Sequence, residues 1–542
     1  MKSTYTIALI ATFTLASCSD FLNIKPMDKM VLEDYWQTRN DVESTVLACY
    51  RAMQEDGFME RIILGGELRS DNVITDETKL KTSADIAHIN DLTIKPTNDL
   101  LKWQAFYTVI NYCNAVLEFA PGVTEKDPNY TTGFMRVHQA EAYAIRALTY
   151  FYLVRIYRNV PYIDFHYKED TQDFFIPQTD GDTILHRLTE QLQEAEKYAM
   201  SSWGVFNSEQ RYRVTKNMVR ALLADIYLWL GDYEACIAAC ERIEPDITDE
   251  DEVINYDLLT GAELNLIGNR WSKFESFREI FYNGNSMESI FELQFNANIK
   301  SNDKLASLYY NDAVDKMGQL AAAPLGEYDD GNLFSEKDIR GQTSYTPAVQ
   351  GGSYQGFSKI VKYFGLINIV DLDNGNWFWS AARDIKTSAP NWIFYRVADV
   401  YLMKAEALTE RNAAGDLALA LELVNITYVR SNPDGVPLSK EKYGTQELMR
   451  KLVFDERQRE FLFEGKRWFD MVRMARREDR KAGSPDAHHS VLSYMTRKYT
   501  HGGDVIRSKL IRTDVLYLPV YADELINNPT LKQNPYYEIN NE

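Results

Sequence analysis

The chain has 542 residues, of which 45% are hydrophobic and 25% charged, the ordinary globular range. This excludes intrinsic disorder and a collagen-like repeat, and the length suffices for a sizeable core. Asp and Glu outnumber Lys and Arg by 79 to 59, for a formal net charge of −20. Such a surface repels phosphate backbones and does not dock on an anionic leaflet through basic residues. Aromatic residues make up 13%, and they serve cores, ligand sites and interfaces alike.

Positions 1–18 read MKSTYTIALIATFTLASC. Lys2 gives a short positive start, and Ile7 to Leu15 form an apolar run broken only by threonines. The run is shorter than the ~20 residues a spanning helix needs, so it reads as an export signal. Leu15-Ala16-Ser17-Cys18 resembles a lipobox, in which small residues admit the peptidase and the thiol takes the lipid. Residues 1–17 are thus read as a lipoprotein signal peptide and Cys18 as the lipidated first residue of a body spanning 18–542. The other cysteines, Cys49, Cys113, Cys236 and Cys240, fall in helical stretches and read as buried small hydrophobes.

Further along, Gly65-Gly66 precedes Arg69-Ser70-Asp71-Asn72, the start of a loop-like stretch to Asn98. Residues 146–162 place Leu148, Phe151, Tyr152 and Ile156 on one helix face, and that helix should end near Asn159, before Pro161. Residues 216–243 carry Met218, Leu222, Ile226 and Leu230 at helical spacing, a Gly231-Asp232 turn and a second helix. This pattern is tetratricopeptide-like. A similar pair spans 395–430, with Ala398, Tyr401, Leu402, Ala405 and Leu408 on one face and a restart at Gly415-Asp416. Between them, about 245–392, helical periodicity fades into acidic, Gly- and Asn-rich sequence with short apolar runs such as Ser289 to Leu293. Loops with a few short strands are expected there, and loops on a rigid scaffold are where binding usually resides. In 456–473, ERQREFLFEGKRWFDMVR, charges interleave with aromatics, which requires a buried and paired network. Gly465 should break that helix before Trp468 and Phe469. The tail, 514–537, combines a strand-like run up to Pro519, a helical turn opened by Asp523-Glu524, and turn signals at Asn528-Pro529 and Asn534-Pro535.

These segments together resemble the SusD/RagB family of nutrient-binding outer-membrane lipoproteins of Bacteroidetes. The resemblance rests on Cys18-Ser19-Asp20-Phe21-Leu22 with Pro26 beyond, on RALTYFYLVRIYRNVPY, on TKNMVRALLADIYLWLGDYEAC, on YRVADVYLMKAEA with ERQREFLFEGKRWFDMVR, and on the ending LPVYADELINNPTLKQNPYY. Tyr536 stands where the family usually has glycine. The expected fold is mainly α, a scaffold of tetratricopeptide-like hairpins at about 30–244 and 393–480. A loop-rich, ligand-facing insertion of few short strands covers about 245–392, and a C-terminal cap covers 510–542. The resemblance implies a surface-exposed, lipid-anchored protein of the outer membrane that captures oligosaccharides and passes them to a SusC-like TonB-dependent transporter. A peptide-binding or other nutrient-binding member, or a structural lid with no ligand affinity of its own, would have the same sequence features.

Signatures of catalysis are missing: there is no P-loop, dinucleotide GxGxxG, HExxH or GxSxG elbow. Asp371-Leu372-Asp373-Asn374-Gly375 hints at a calcium loop, but its glycine comes one place early and position twelve is Ala382, so the EF-hand reading fails. His488-His489 reads as a solvated loop pair. The chain is therefore read as a non-enzyme without cofactor or metal. Sugar capture needs aromatic faces for pyranose C–H groups and fixed polar partners for hydroxyls. Two places offer both. One is Arg69, Asp71 and Asn72, at the position of the family's early binding loop. The other is Asn376-Trp377-Phe378-Trp379, where an extended chain turns Trp377 and Trp379 the same way. Tyr354 and Trp271 are further candidates, while Trp103, Trp229 and Trp468 are assigned to the core.

Overall fold

The computed structural model describes residues 35–167, 174–203, 209–243, 246–247, 253–254, 277–309, 318–325, 332–346, 348, 355–364, 366–370, 377–381, 389–499 and 502–538. The long helices are α1 (Arg39–Met53), α2 (Asp56–Glu67), α3 (Gln104–Val123), α4 (Thr132–Tyr157), α5 (Gly181–Tyr198) and α6 (Lys216–Leu230). They continue with α7 (Tyr233–Glu241), α8 (Val397–Arg411), α9 (Asp416–Ser431), α10 (Gln446–Glu460) and α11 (Arg467–Ala482).

Local chemistry sets their ends. Thr131, Thr215 and Thr445 each accept a hydrogen bond from the backbone N–H three residues on, as does Asp232. Gly231 ends α6 in the left-handed region, φ 81°, and Asp232 caps α7. The Gly-Asp pair thus stops one helix and starts the next.

Helices consecutive in sequence pack against each other from α3 through α7, with α1 against α3. The series then crosses the long middle of the chain: α7 packs on α8, α8 on α9, and α10 lies against both α8 and α9. The backbone leaves the helical layer after α7 and re-enters it directly beside α7. Within this layer α4 is central. Residues 144–157 are all buried, so no side of its second half faces water. It stops at Tyr157, two residues before the expected Asn159.

The strands are short. Among them are β1 (Val73–Ile74), β2 (Ser289–Leu293), β3 (Ala321–Ala322), β4 (Leu366–Val370), β5 (Trp377–Ala381) and β6 (Trp392–Arg396). Of these, β1 pairs with β3, β2 with β6 and β4 with β5, all antiparallel, and two further two-residue pairs join Val160–Pro161 to Gln178–Thr179 and Asp246–Ile247 to Val253–Ile254. The β2–β6 ribbon is buried along both strands and leads straight into α8. The middle of the chain also holds helical turns at Asp303–Tyr309 and Ile339–Ser344, which the weak periodicity did not indicate. In the tail, the strand-like run is instead a 3-10 turn, Thr513–Leu516. It keeps the backbone of buried Val515 paired, through Arg512 O. Cys49, Cys113, Cys236 and Cys240 are all buried free thiols, in line with their reading as small hydrophobes.

One close approach joins the two ends of the chain. A Cβ on Gly66 would sit 1.7 Å from the Gly465 carbonyl oxygen, so only glycine lets α2 pass the turn between α10 and α11. Gly465 itself takes φ +68° beside Trp392.

Candidate functional site

The ERQREFLFEG stretch forms the end of α10 and the turn into α11, and it anchors a buried ionic network. Glu460 accepts from Arg396 at 2.6 Å, from Arg340 at 2.9 Å and from Arg430. Glu456 accepts from Arg340 and from Arg459, both at 2.8 Å. Glu464 pairs with Lys362 at 2.6 Å and with Arg396 at 2.9 Å. Glu288 and Asp338 complete the set through Arg396 and Arg340. Burial alone would raise the Glu460 carboxyl, but the guanidinium groups of Arg430, Arg396 and Arg340 outweigh it and hold the group well below its usual range. A carboxylate surrounded in this way is a structural anion. Removing any one partner leaves an uncompensated buried charge.

The same logic corrects the first sequence-derived ligand cluster. Asp71 and Asn72 are fully buried and Arg69 is 3% exposed. Asp71 accepts from Arg467 Nε at 2.9 Å and pairs with Arg497. Asn72 donates from Nδ2 to Glu67 at 2.6 Å and accepts from Gln458 Nε2 at 2.9 Å. Arg69 donates to the Val515 carbonyl. These polar groups are turned into the protein because the guanidinium groups of α11 and the following turn need partners there. The loop is a hub between the N-terminal and C-terminal helices, not a surface open to a sugar. Glu67, on the same hub, accepts from the Gly465 N–H at 3.0 Å. Burial pushes its carboxyl up to about 8, only partly offset by the bonds from Asn72 and Gly465.

Trp377 and Trp379 fall on β5, where Trp377 stands opposite Val370 and Trp379 opposite Asn368 on β4. Cys18, Trp271 and Tyr354 lie outside the described residues, as does most of the Asp371–Ala382 stretch. Trp103, Trp229 and Trp468 are buried, as assigned. His488 is corrected: it is fully buried, with Nδ1 3.0 Å from Asp479 and Nε2 2.9 Å from the Leu510 carbonyl. His489 is exposed. The sequence reading passed over Phe174 and Phe175, which are 50% and 51% exposed. Phe174 stacks on Tyr167, with ring centroids 5.0 Å apart. The available signal was two adjacent aromatics behind the acidic stretch Glu169 to Asp173. Among the described residues, no group of three or more His, Cys, Asp or Glu side chains is placed to hold a metal. None of the described helices is long and apolar enough to cross a membrane.

A layer of helical hairpins interrupted by one long, strand-poor excursion, locked by an arginine-glutamate core, defines a SusD-like architecture. Residues 379–537 match the family model described as the SusD family, and residues 20–228 match that described as "Starch-binding associating with outer membrane". SusD-like protein P38 of Formosa agariphila is 25% identical over 553 aligned positions, covering 98% of each chain. SusD-like protein P2 of the same organism is 26% identical, over 88% of this chain and 91% of its own. A SusD homolog of Bacteroides thetaiotaomicron has the same fold, with a TM-score of 0.67 at 20% identity, over 93% of this chain and 99% of its own. A putative sugar-binding protein of Bacteroides vulgatus gives 0.64 at 20% identity, over 92% and 99%. The chain belongs to the SusD family.

Proposed function

We propose that this protein binds glycan at the cell surface as a lipoprotein and hands oligosaccharides to a partner TonB-dependent outer-membrane transporter. The observation that carries the reading is the match of residues 20–228 to a family described as starch-binding and associated with the outer membrane. The sugar-binding description of the Bacteroides vulgatus neighbour points the same way. The lipobox ending at Cys18 supplies the anchor. The excursion at about 245–392 is the ligand-facing part, with Trp377 and Trp379 as a stacking platform on a strand. Trp271 and Tyr354 are further contacts in the same excursion. Binding is the proposed activity, without turnover, because the acids of the family motif are held by arginines.

The test is native affinity electrophoresis of the full chain through gels containing plant, fungal and host polysaccharides. The polymer is recovered afterwards and sized. Retardation by one intact glycan is the expected result. Shortened polymer would replace binding by hydrolysis. Free mobility in every gel would shift the reading to a peptide ligand or a lid.

A further inference from the structure

Arg69 is a buried cation with no carboxylate partner among the described residues. Its Nη1 donates to the Val515 carbonyl at 3.1 Å, and its Nη2 is buried without an acceptor among the described residues. Its Cζ lies 4.3 Å from the ring centroid of Trp468. That aromatic face attracts the charge but leaves the Nη2 hydrogens unsatisfied. Burial pulls the group down to about 10, as expected of a guanidinium without a counter-charge.

Arg69 lines a cavity of about 10 Å3 between α2, α4 and the C-terminal segment. A second guanidinium, that of Arg61, shares the wall. Among the described residues Arg61 donates to the carbonyl oxygens of Gly57, Asp99 and Lys102, and its charge also acts on the exposed Asp99 carboxylate. The rest of the lining is apolar apart from Tyr157, with Leu64, Ile89, Ile156 and Leu518 among it, and it includes no acidic side chain. Space of this size holds one water-sized particle. A water molecule would satisfy the free N–H but leave the charge in place, whereas a monatomic anion does both.

We propose that this cavity is a binding site for a single chloride ion, held by Arg69 Nη2 and the field of Arg61. The ion would tie α2 and α4 to the C-terminal segment. The site is separate from the glycan surface, and its test does not depend on any sugar.

Crystals of the full chain grown in sodium bromide give the direct test. The expected result is one anomalous peak within hydrogen-bond reach, roughly 3.5 Å, of Arg69 Nη2. A cavity with ordered water and no anomalous signal overturns the proposal. Thermal melting gives a second readout that needs no variant. At equal ionic strength and saturating anion, chloride should raise the melting temperature over gluconate by roughly 2–3 °C. The Arg69→Met chain, if it folds, should melt alike in both salts. Identical melting of the unmodified chain in both salts would also count against the ion.

Discussion

Asp71 and Arg467 are 396 positions apart in the chain and meet at 2.9 Å, in full burial, where the start of the protein is fastened to its end. Burial would raise the Asp71 carboxyl, yet Arg467 and Arg497 hold it below its usual value. Asp71→Ala removes one side of this pair and leaves two guanidinium groups facing an apolar gap. The expected cost is about 3–5 kcal/mol, seen as a fall of roughly 3–5 °C in melting temperature. Glycan retardation at 25 °C should be unchanged in the folded variant. A folded variant that melts normally but runs freely through the glycan gel would return Asp71 to the list of ligand contacts.

Glu67 makes stability depend on pH. Its carboxyl is raised from 4.5 to about 8, so the folded state binds the proton more tightly than the unfolded chain. The stabilisation is complete below about pH 4.5 and is lost as the pH rises through about 8. The shift corresponds to roughly 5 kcal/mol over that window. Glu67→Gln should therefore flatten the decline in melting temperature between pH 5 and pH 8. An unchanged slope in the variant would show that Glu67 is ionised in the folded protein.

The stacking platform is tested by Trp377→Ala and Trp379→Ala. Each should weaken retardation by the bound glycan about tenfold, the equivalent of about 1.4 kcal/mol for one lost ring, and the double variant should run freely. The melting temperature should stay within about one degree. Equal retardation of the double variant and the parent chain would place the sugar elsewhere, with exposed Phe174 and Phe175 next in line.

Gly66 and Gly122 form a matched pair of probes. An added methyl at Gly66 collides with the Gly465 carbonyl, while nothing lies within 4 Å of one at Gly122. Gly66→Ala should cost about 1–3 kcal/mol or prevent folding. Gly122→Ala, in the last turn of α3, should be neutral or stabilising by up to about 1 kcal/mol. Chemical denaturation of both variants reads the contrast, and equal midpoints would mean that α2 and the Gly465 turn are not in contact.

The proposed anchor rests on one thiol, Cys18. Cys18→Ser should move the protein from the membrane fraction to the soluble fraction without changing its glycan retardation. A variant that stays with the outer membrane would mean that contact with a partner, not lipid, holds it there.

Much of the scaffold was readable because its signals are local. The periodicity of Met218 to Leu230 and the Gly231-Asp232 stop and start act within four residues. The 456–473 motif also declared its own burial, since charges among aromatics are stable inside only when paired. The ligand loop was misread for the opposite reason. Arg69, Asp71 and Asn72 look like a polar surface loop, because nothing within ten residues shows that Arg467, Gln458 and Val515 lie against them. His488 was misread likewise, with Leu510 as its distant partner.

Local sequence sets where helices start and stop, which faces are apolar, and that the charges of 456–473 must find partners. These follow from short-range geometry and the cost of burying charge. Packing in three dimensions sets which arginine meets which acid, brings α8 back to the side of α7, and turns the Arg69 loop inward. Such choices join residues hundreds of positions apart. They are set by the shape in which the helices pack, and no local pattern encodes it.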